Sequence, residues 1–403
     1  MSSELRVNTI TSTTGVGTVT LGSGGVSFSG TPTFNDVTLS SINGNAISGN
    51  RNRIINGDMR IDQRNSGASV AINNSASYIV DRWSSNTTGG AGTGTATVQR
   101  VADAPVGFSS SLRYTVTNAK TPAAGDVFLI QQLIEGQNII DFAYGTESPK
   151  TVTLSFWVKS SLTGTFSGSL QSLNSISTYR TYLFNYTVNS TNTWQYVTVT
   201  APGDTVQVPT QNNTVGYQIN FDLGTGSTFR TSTLNSWVTG NFVASSSALN
   251  LISTNGATFQ LTGVQLEAGS VATPFERRSY GAELALCQRY YEKSFNVEVA
   301  PANGGTATSF VTEEGFSAAV STNRLGSGTV VRFAVTKRAS PTITKIGNSS
   351  GQWRWIAPAG TAHTYSANIE IANVGASGFV MQQQVSDGSL VFLQGHWTAS
   401  IEL

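Results

Sequence analysis

Apolar and polar residues alternate along much of this chain, and this period-two pattern constrains the fold more than any other feature. In residues 152–158 every second residue is apolar, and the residues between them are Thr153, Ser155 and Trp157. The same alternation recurs in three further segments: residues 194–200, 217–223 and 258–266. Strands with one buried face, joined by turns rich in Gly, Asn and Ser, are typical of antiparallel sandwiches. We therefore predict an all-β protein in which residues 51–275 form one large antiparallel jelly-roll β-sandwich.

Residues 1–50 differ from the rest of the chain because their apolar residues occur as isolated period-two pairs. Val19 and Leu21 form one pair, and Val26 and Phe28 form another, with Gly, Ser, Thr or Asn between the pairs. One copy of this segment has too few apolar residues to offset the conformational entropy that is lost on ordering. The segment is therefore either disordered, or ordered by wrapping around sister chains or docking on a partner. We favour the second alternative and predict an extended N-terminal attachment segment.

One helix is predicted between two β regions. Residues 274–293 are mostly compatible with a helix, and Leu284, Cys287 and Tyr291 fall on one stripe at i, i+3 and i+7. We assign residues 276–293 to a short linker helix whose narrow stripe packs on a threefold axis or on a neighbouring sheet. Residues 294–403 return to strand patterns and are predicted to form a smaller C-terminal β-sandwich, the tip domain. Its clearest strand patterns are at residues 330–335 and 389–393.

The composition argues against several classes of function. Charged residues make up 11% of the chain and the net charge is +1, without a basic stripe, so we expect no nucleic-acid partner. No apolar run reaches the roughly 18 residues of a membrane span, and residues 1–10 lack the apolar core of a signal peptide. We therefore expect no membrane insertion, and folding in a cytoplasm. Cys287 is the single cysteine, and His363 and His396 are the two histidines, which predicts no disulfide, no metal site and no cofactor.

Several longer strings occur in order between residues 50 and 293. They are NRIINGDMRIDQRN at 52–65, YIVDRW at 78–83, LSFWVKS at 154–160, WQYVTVTAPG at 194–203, FQLTGVQLEAGS at 259–270, ATPFERRSY at 272–280 and ALCQRYYEK at 285–293. Together these strings resemble a family of phage tail-fibre and appendage proteins, especially from phages of cyanobacteria and other marine bacteria. The resemblance implies a homotrimeric virion protein whose N-terminal segment attaches to tail proteins of the adaptor or nozzle type.

A second resemblance lies inside the first. The Ile-Asn-Gly-Asp string at residues 55–58, the tryptophan at position 83 and the closing segment 259–267 are similar to jelly-roll carbohydrate-binding modules. This similarity implies a glycan ligand. The closing strand of those modules often carries acidic residues, whereas this chain has Thr262 and Gly263 at the corresponding positions.

Many carbohydrate-binding modules also hold a structural calcium ion near the ends of the domain. Asn56, Asp58 and Asp62 could supply oxygen ligands for such an ion. The same residue types more commonly cap turns through hydrogen bonds to the backbone. We favour the capping role and predict no bound metal.

Glycan cleavage requires a pair of carboxylates about 5 to 9.5 Å apart. Glu313 and Glu314 are the one adjacent acidic pair, and neighbouring residues of a strand point to opposite faces. Neither histidine lies in a recognisable nucleophile motif. We therefore predict that the protein is not an enzyme and has no catalytic residues.

Two groups of aromatic residues are candidates for contact with a receptor. Trp157 lies on the polar face of its strand, so we expect it to line an outer surface, with burial under a loop or at a trimer contact as the alternative. The C-terminal candidates lie close together in the sequence: Trp353, Arg354, Trp355, His363 and Tyr365. Aromatic residues flanking an arginine form an amphipathic recognition patch, with core or trimer packing as the alternative. Trp83, Trp194 and Trp397 are predicted core residues, and His396 is predicted to be structural.

These observations predict a homotrimeric tail fibre of the virion, assembled in the host cytoplasm, that binds a polysaccharide on the host surface. Residues 1–50 attach the fibre, the sandwich forms its body, and residues 294–403 form the receptor-binding tip. Two other classes of function stay open: a head fibre or decoration appendage that contacts no receptor, and a glycan-depolymerising tailspike. A virion map distinguishes the first alternative from a tail fibre, because it shows whether the chain is attached to the head or to the tail. Loss of capsule staining after the purified protein is added would support the tailspike.

Overall fold

The computed structural model describes residues 50–72, 77–88, 95–175, 178–304, 328–356, 363–366, 369–383 and 391–403, with the short segments 41–42, 45–46 and 317–320. These residues belong to one compact unit that runs from Ser41 to Leu403. The attachment segment predicted for residues 1–50 lies almost wholly outside the described residues, as does the Glu313-Glu314 pair.

Strands dominate the described residues up to position 268, as the alternating pattern predicts. They are β1 (Ser41–Ile42), β2 (Asn45–Ala46), β3 (Val70–Ile72), β4 (Ser77–Val80), β5 (Trp83–Thr88), β6 (Thr95–Val101), β7 (Ser111–Asn118), β8 (Val127–Glu135), β9 (Val152–Ser160), β10 (Gly164–Ser175), β11 (Thr178–Val188), β12 (Gln195–Ala201), β13 (Val215–Thr225), β14 (Arg230–Thr231), β15 (Trp237–Thr239), β16 (Ala244–Ser245) and β17 (Thr258–Ala268). Short 3-10 helices lie at Gly136–Asn138, Ile140–Phe142, Ser227–Phe229 and Leu251–Ser253.

Two antiparallel sheets built from these strands pack into a sandwich. The six-stranded sheet has the order β12-β9-β17-β7-β6-β3, and the seven-stranded sheet has the order β15-β11-β10-β13-β8-β5-β4. The predicted all-β sandwich is therefore confirmed. Strand β9 directs Val152, Leu154, Phe156 and Val158 into the core, as its alternation predicts.

Aromatic rings fill the space between the two sheets. The Phe156 ring is fully buried, and its centroid lies 5.0 Å from that of Phe221 on β13 and 5.2 Å from that of Tyr186 on β11. Burial of such a side chain contributes roughly 1.5–3 kcal/mol, and the edge-to-face geometry adds to it. Trp83 is also fully buried, which confirms its predicted core position. Because rings from both sheets close this interior, a ligand has to bind on an outer face or an edge of the sandwich.

The helix α1 (Tyr280–Gln288) is shorter than predicted. It begins at Tyr280 because the Ser279 hydroxyl accepts a hydrogen bond from the Ala282 amide, at 3.3 Å, as an N-cap. It ends before residue 291 because residues 291–293 form a strand instead. The predicted stripe packs against the chain's own N-terminal strings: Leu284 and buried Cys287 cluster with Ile55 and Ile61. Among the described residues, no helix has both the length and the apolar character needed to cross a membrane.

The described C-terminal strands form three small sheets. The strands are β18 (Tyr291–Lys293), β19 (Ser317–Val320), β20 (Gly328–Arg332), β21 (Thr342–Ile346), β22 (Trp353–Ile356), β23 (His363–Ser366), β24 (Ile369–Gly375), β25 (Gly378–Gln383), β26 (Val391–Gln394) and β27 (His396–Ser400). The sheets are β18-β27-β21, β19-β26-β22-β23 and β20-β25-β24. They share a separate hydrophobic core that includes Trp353, Phe379 and Trp397, which confirms the predicted core position of Trp397.

A buried polar junction joins the N-terminal strings to the helix. Asn56 has a φ of 56°, and its side chain binds the Ile61 amide at 3.0 Å, the Ile61 carbonyl at 2.8 Å and the Asp81 carbonyl at 3.0 Å. The backbone N–H of Asn56 donates a hydrogen bond to the Glu283 carboxylate of α1. The Trp83 indole donates to the backbone carbonyl of Asn56 at 3.0 Å. The strings that carry the phage resemblance therefore build a structural junction of buried hydrogen bonds.

A buried ion pair ties this junction to Glu402, which follows β27. Arg82 is 1% exposed at its side chain and pairs with Glu402, and Arg64 binds the second Glu402 oxygen at 2.8 Å. Burial opposes the charge on Arg82, but Glu402 together with Tyr290 and Tyr78 outweighs this effect and raises the pKa of Arg82 above its usual value. The Arg82 guanidinium also lies 3.6 Å from the Tyr290 ring centroid. Residues more than 300 positions apart are thereby held together, since the pair joins positions 82 and 402.

Candidate functional site: an aromatic cleft on the six-stranded sheet

Three aromatic side chains lie on the outer face of the six-stranded sheet. Trp157 on β9 pairs in register with Tyr196 on β12, and their ring centroids are 5.3 Å apart. Trp157 is half-buried and Tyr196 is 43% exposed. Trp194 precedes β12 and lies beside Lys159, whose ammonium is 5.1 Å from the Trp194 ring centroid. The sheet therefore presents a partly exposed aromatic surface on its polar face.

A cleft of about 500 Å³ opens beside Trp157 and Tyr196. We call it the aromatic cleft, and its lining residues are Val106, Phe108, Ser155, Trp157, Tyr196, Gly263, Ala272, Thr273, Pro274, Phe275 and Arg277. Its volume lies within the range of about 300–1,000 Å³ that is common for ligand sites, and the mixture of rings with a few polar groups is also common there.

Two loops bring further rings and a positive charge to the aromatic cleft. Phe108 follows β6 and Phe275 follows β17, and their rings meet edge to face with centroids 5.2 Å apart. The Arg277 guanidinium lies 4.7 Å from the Phe108 ring centroid and 5.6 Å from the Phe275 centroid. Arg277 also donates to the Gly107 carbonyl. These contacts fix the guanidinium against two ring faces while leaving the residue exposed.

A β-bulge in β17 gives the aromatic cleft its shape. The register of β17 against β9 shifts between Thr262 and Gln265, and Gly263 within the bulge has a φ of 62°. A methyl group added at Gly263 would lie 2.8 Å from the Phe108 ring and 3.0 Å from the Trp157 ring. Glycine therefore permits both the backbone conformation and the close approach of the two rings.

We expect Gly263→Ala to destabilise the protein and to narrow the aromatic cleft. The left-handed backbone conformation costs an alanine about 1–2 kcal/mol, and overpacking against Phe108 and Trp157 costs about 1–3 kcal/mol more. Gly256→Ala is the matched control, because Gly256 has a φ of 75° and no atom near its added methyl group. Urea denaturation followed by circular dichroism should show that the free energy of unfolding falls clearly more for Gly263→Ala than for Gly256→Ala. Equal losses would mean that the rings move aside without cost.

An acidic residue beside the cleft is fully engaged by its neighbours. Asp103 accepts hydrogen bonds from Lys159, from Gln260 at 3.1 Å and from the Trp194 indole at 3.4 Å. The hydrogen bond from Lys159 holds the pKa of Asp103 below its usual value. Asp103 and Lys159 thus neutralise each other, and Trp194, which the sequence predicts to be a core residue, instead packs on the outer face above them.

The C-terminal receptor candidates occupy a different setting. Trp353 and Arg354 are both 0% exposed, and the Trp353 indole donates to the His396 carbonyl at 2.7 Å. A side chain on Gly395 would collide with the Trp353 ring, so the glycine is needed for this packing. This burial matches the core-packing alternative and corrects the expectation that Trp353 and Arg354 offer a free surface to a receptor.

The remaining C-terminal candidates are described only through their backbone. Trp355 on β22 pairs with Thr364 on β23, Arg354 pairs with Tyr365, and Ile356 pairs with His363. The side chains of Trp355, His363 and Tyr365 lie outside the described part of the structure, so their role stays a prediction. His396 is buried, with its Nδ1 3.1 Å from the Ser294 hydroxyl, which confirms its predicted structural role.

The residues considered for calcium make capping contacts. The Asp62 carboxylate accepts from the Asn65 amide at 2.9 Å and from the Gly67 amide at 2.6 Å. Asp58 lies 3.1 Å from the Arg60 guanidinium. The contacts of Asp62 and Asn56 are turn and capping interactions of the kind that the sequence favours, whereas Asp58 forms an ion pair.

Comparisons with known proteins give partial similarities. No protein-family model matches the chain, and no curated protein matches it by sequence. Among solved structures, the chain is similar to the enzymatically active domain of tailspike protein 4 of Bacteriophage CBA120, with 17% identity and a TM-score of 0.30 over 54% of this chain and 21% of that one. The chain therefore spans about a fifth of the length of this tailspike structure.

Two smaller solved proteins are covered almost completely by the similarity. One is a putative sugar-binding protein from Bacteroides thetaiotaomicron, with 13% identity and a TM-score of 0.32 over 54% of this chain and 99% of that one. The other is a family 11 carbohydrate-binding module from Clostridium thermocellum, with 11% identity and a TM-score of 0.26 over 51% and 98%. Both TM-scores are below 0.5.

Proposed function

We propose that this protein is a non-catalytic, glycan-binding fibre of a bacterial virus and that it binds its glycan in the aromatic cleft. The observation that carries the proposal is the joint placement of Trp157, Tyr196 and Arg277 along one cleft of about 500 Å³ on the outer face of the sandwich. The accessible ring faces offer apolar area to the C–H faces of a sugar ring. Hydroxyl and guanidinium groups at the edges offer hydrogen bonds to its polar substituents.

The viral part of the proposal rests on the sequence strings between residues 50 and 293, which resemble phage tail-fibre and appendage proteins. In this proposal the chain is a homotrimer in the virion, and residues 1–50 attach it to tail proteins. A trimer presents three aromatic clefts to one cell surface, so modest affinity at each cleft is multiplied by avidity. The recognition site is proposed on the sandwich and not at Trp353 and Arg354, because those side chains are buried.

The test combines binding, cleavage and mass. Purified protein applied to an array of bacterial surface glycans should bind a subset of them, and soluble protein should compete with the virus for adsorption to its host. Light scattering should give a mass near three times 42.5 kDa. Binding to no glycan on the array would contradict glycan recognition, and a stable monomer at micromolar concentration would contradict the trimer.

The two alternatives give different results in the same experiments. A depolymerising tailspike releases new reducing ends from a bound polysaccharide, which requires two suitably spaced carboxylates. A head fibre or decoration appendage lies on the capsid in a low-resolution virion map and does not compete for adsorption. We expect no release of reducing ends and a position on the tail.

A further inference from the structure

We infer that the aromatic cleft selects anionic glycans, in which a pyranose ring stacks on Trp157 and Tyr196 and a carboxylate on the sugar binds Arg277. The inference rests on the proposed glycan-binding function and names the class of glycan. The observation behind it is that Arg277 is the one charged side chain among the described residues that line the cleft.

Arg277 is available for a ligand because its charge is not neutralised by an ion pair. The ion pairs of the described residues engage the neighbouring arginines Arg60 and Arg278 but do not include Arg277. Its one hydrogen bond within that part of the chain is the bond to the Gly107 carbonyl. Burial raises the pKa of the nearby Asp58, and the charge of Arg277 opposes that rise. Asp58, however, forms its ion pair with Arg60, at 3.1 Å, and not with Arg277.

The surroundings of Arg277 prepare its guanidinium to bind a planar anion. Phe108 and Phe275 pack beside the group, at 4.7 and 5.6 Å from their ring centroids, and the Gly107 bond fixes one edge. A guanidinium carries five N–H donors in a flat fork that matches a carboxylate. Because the group is already ordered, little side-chain entropy is lost when the anion binds.

Lys159, the positive group beside Trp194, does not compete with Arg277 for the anion. Lys159 is ion-paired with Asp103, so the charge at that end of the surface is cancelled. Among the described residues that line the cleft, Arg277 supplies the positive charge. An acidic sugar gains a charge–charge attraction to Arg277, whereas a neutral sugar gains the stacking on Trp157 and Tyr196 and hydrogen bonds without that attraction.

Titration calorimetry with three oligosaccharides of equal length tests this inference: a β-1,4-linked hexaglucuronate, the matching hexaglucose and a sulfated galactan hexasaccharide. For the full-length protein we expect the glucuronate to bind about tenfold tighter than hexaglucose, with a preference that shrinks at high salt because the charge is exposed. Arg277→Gln should remove the preference, so that the glucuronate and hexaglucose bind to this variant with equal affinity. Arg277→Lys should keep part of it, because lysine keeps the charge but loses the planar fork.

Arg332→Gln is the matched control, because it removes one exposed positive charge in the C-terminal sheets, away from the cleft. It should leave the preference intact, and a loss of preference in this variant would mean that net charge and not the cleft attracts the anion.

Equal affinity of the unmodified protein for glucuronate and glucose would overturn the inference while leaving glycan binding in place. A preference for the sulfated glycan alone would contradict the carboxylate assignment. Absence of binding to all three glycans, together with a negative glycan array, would contradict both this inference and the proposed function.

Discussion

Trp157→Ala is expected to weaken glycan binding about thirtyfold or more while leaving the fold intact. Removal of a central aromatic anchor typically costs about 2 kcal/mol or more, which is about thirtyfold in affinity at each site. In a trimer that engages three sites on one cell, the loss of adsorption is larger still. The fold should survive because Trp157 lies on the outer face, whereas its neighbours Phe156 and Val158 fill the core.

The measurement pairs calorimetry on the best glycan from the array with adsorption of virus to host cells in the presence of soluble variant. Trp157→Phe should retain part of the affinity, because a smaller ring still offers a face for stacking. Tyr280→Ala is the control, since Tyr280 is 42% exposed but does not line the aromatic cleft. If Trp157→Ala binds like the unmodified protein, the cleft is not the glycan site. If both variants lose binding, the effect is not specific to the cleft.

Replacement of Glu402 is expected to produce the largest loss of stability. Glu402→Gln removes the charge that pairs with Arg82 and Arg64, and the Arg82 side chain has almost no exposure through which water could replace it. Loss of one partner of a buried ion pair typically costs about 3–5 kcal/mol, because the remaining charge is left uncompensated. The midpoint of urea denaturation, followed by circular dichroism, should therefore fall sharply.

Glu298→Gln provides the comparison for Glu402. Glu298 pairs with Arg100 at 3.0 Å, but its side chain is 58% exposed, and such surface pairs contribute about 0–1 kcal/mol. The denaturation midpoint of this variant should stay close to that of the unmodified protein. A Glu402 variant as stable as the Glu298 variant would show that water reaches Arg82 in solution.

The strands were predictable because successive side chains of a strand point to opposite faces, so the position of a residue in the alternation gives the face on which it lies. Alternation in residues 152–158 places Phe156 in the core and Trp157 outside, and the structure has both there. The helix was predicted too long because helix-compatible residues at 291–293 are drawn into a sheet by pairing with β27, a contact that spans about a hundred positions. Tertiary pairing of this kind leaves no local signal.

The site was only partly predictable for a related reason. Trp157 could be found from the parity of its strand, and the same parity places Tyr196 beside it once the two strands are paired. Phe108 lies in a loop with no repeating pattern, and Arg277 belongs to a string that the resemblance marks without assigning it a role. The density of aromatic residues at 353–355 points to a receptor patch, but Trp353 closes a small core, and the role of Trp355 stays a prediction. Density alone does not separate a binding patch from a core.

The ion pair between Arg82 and Glu402 also has a consequence for the order of folding. The partners are 320 positions apart, so the junction cannot close until residue 402 has left the ribosome. Until then Arg82 and Arg64 lack their carboxylate, and until residue 288 has emerged the segment at 55–61 lacks the helix that covers it. Folding dominated by such distant contacts is slow, and incomplete chains expose unpaired edges that favour aggregation. Synthesis of this protein should therefore depend on chaperones that protect the unfinished chain until residue 402 is made.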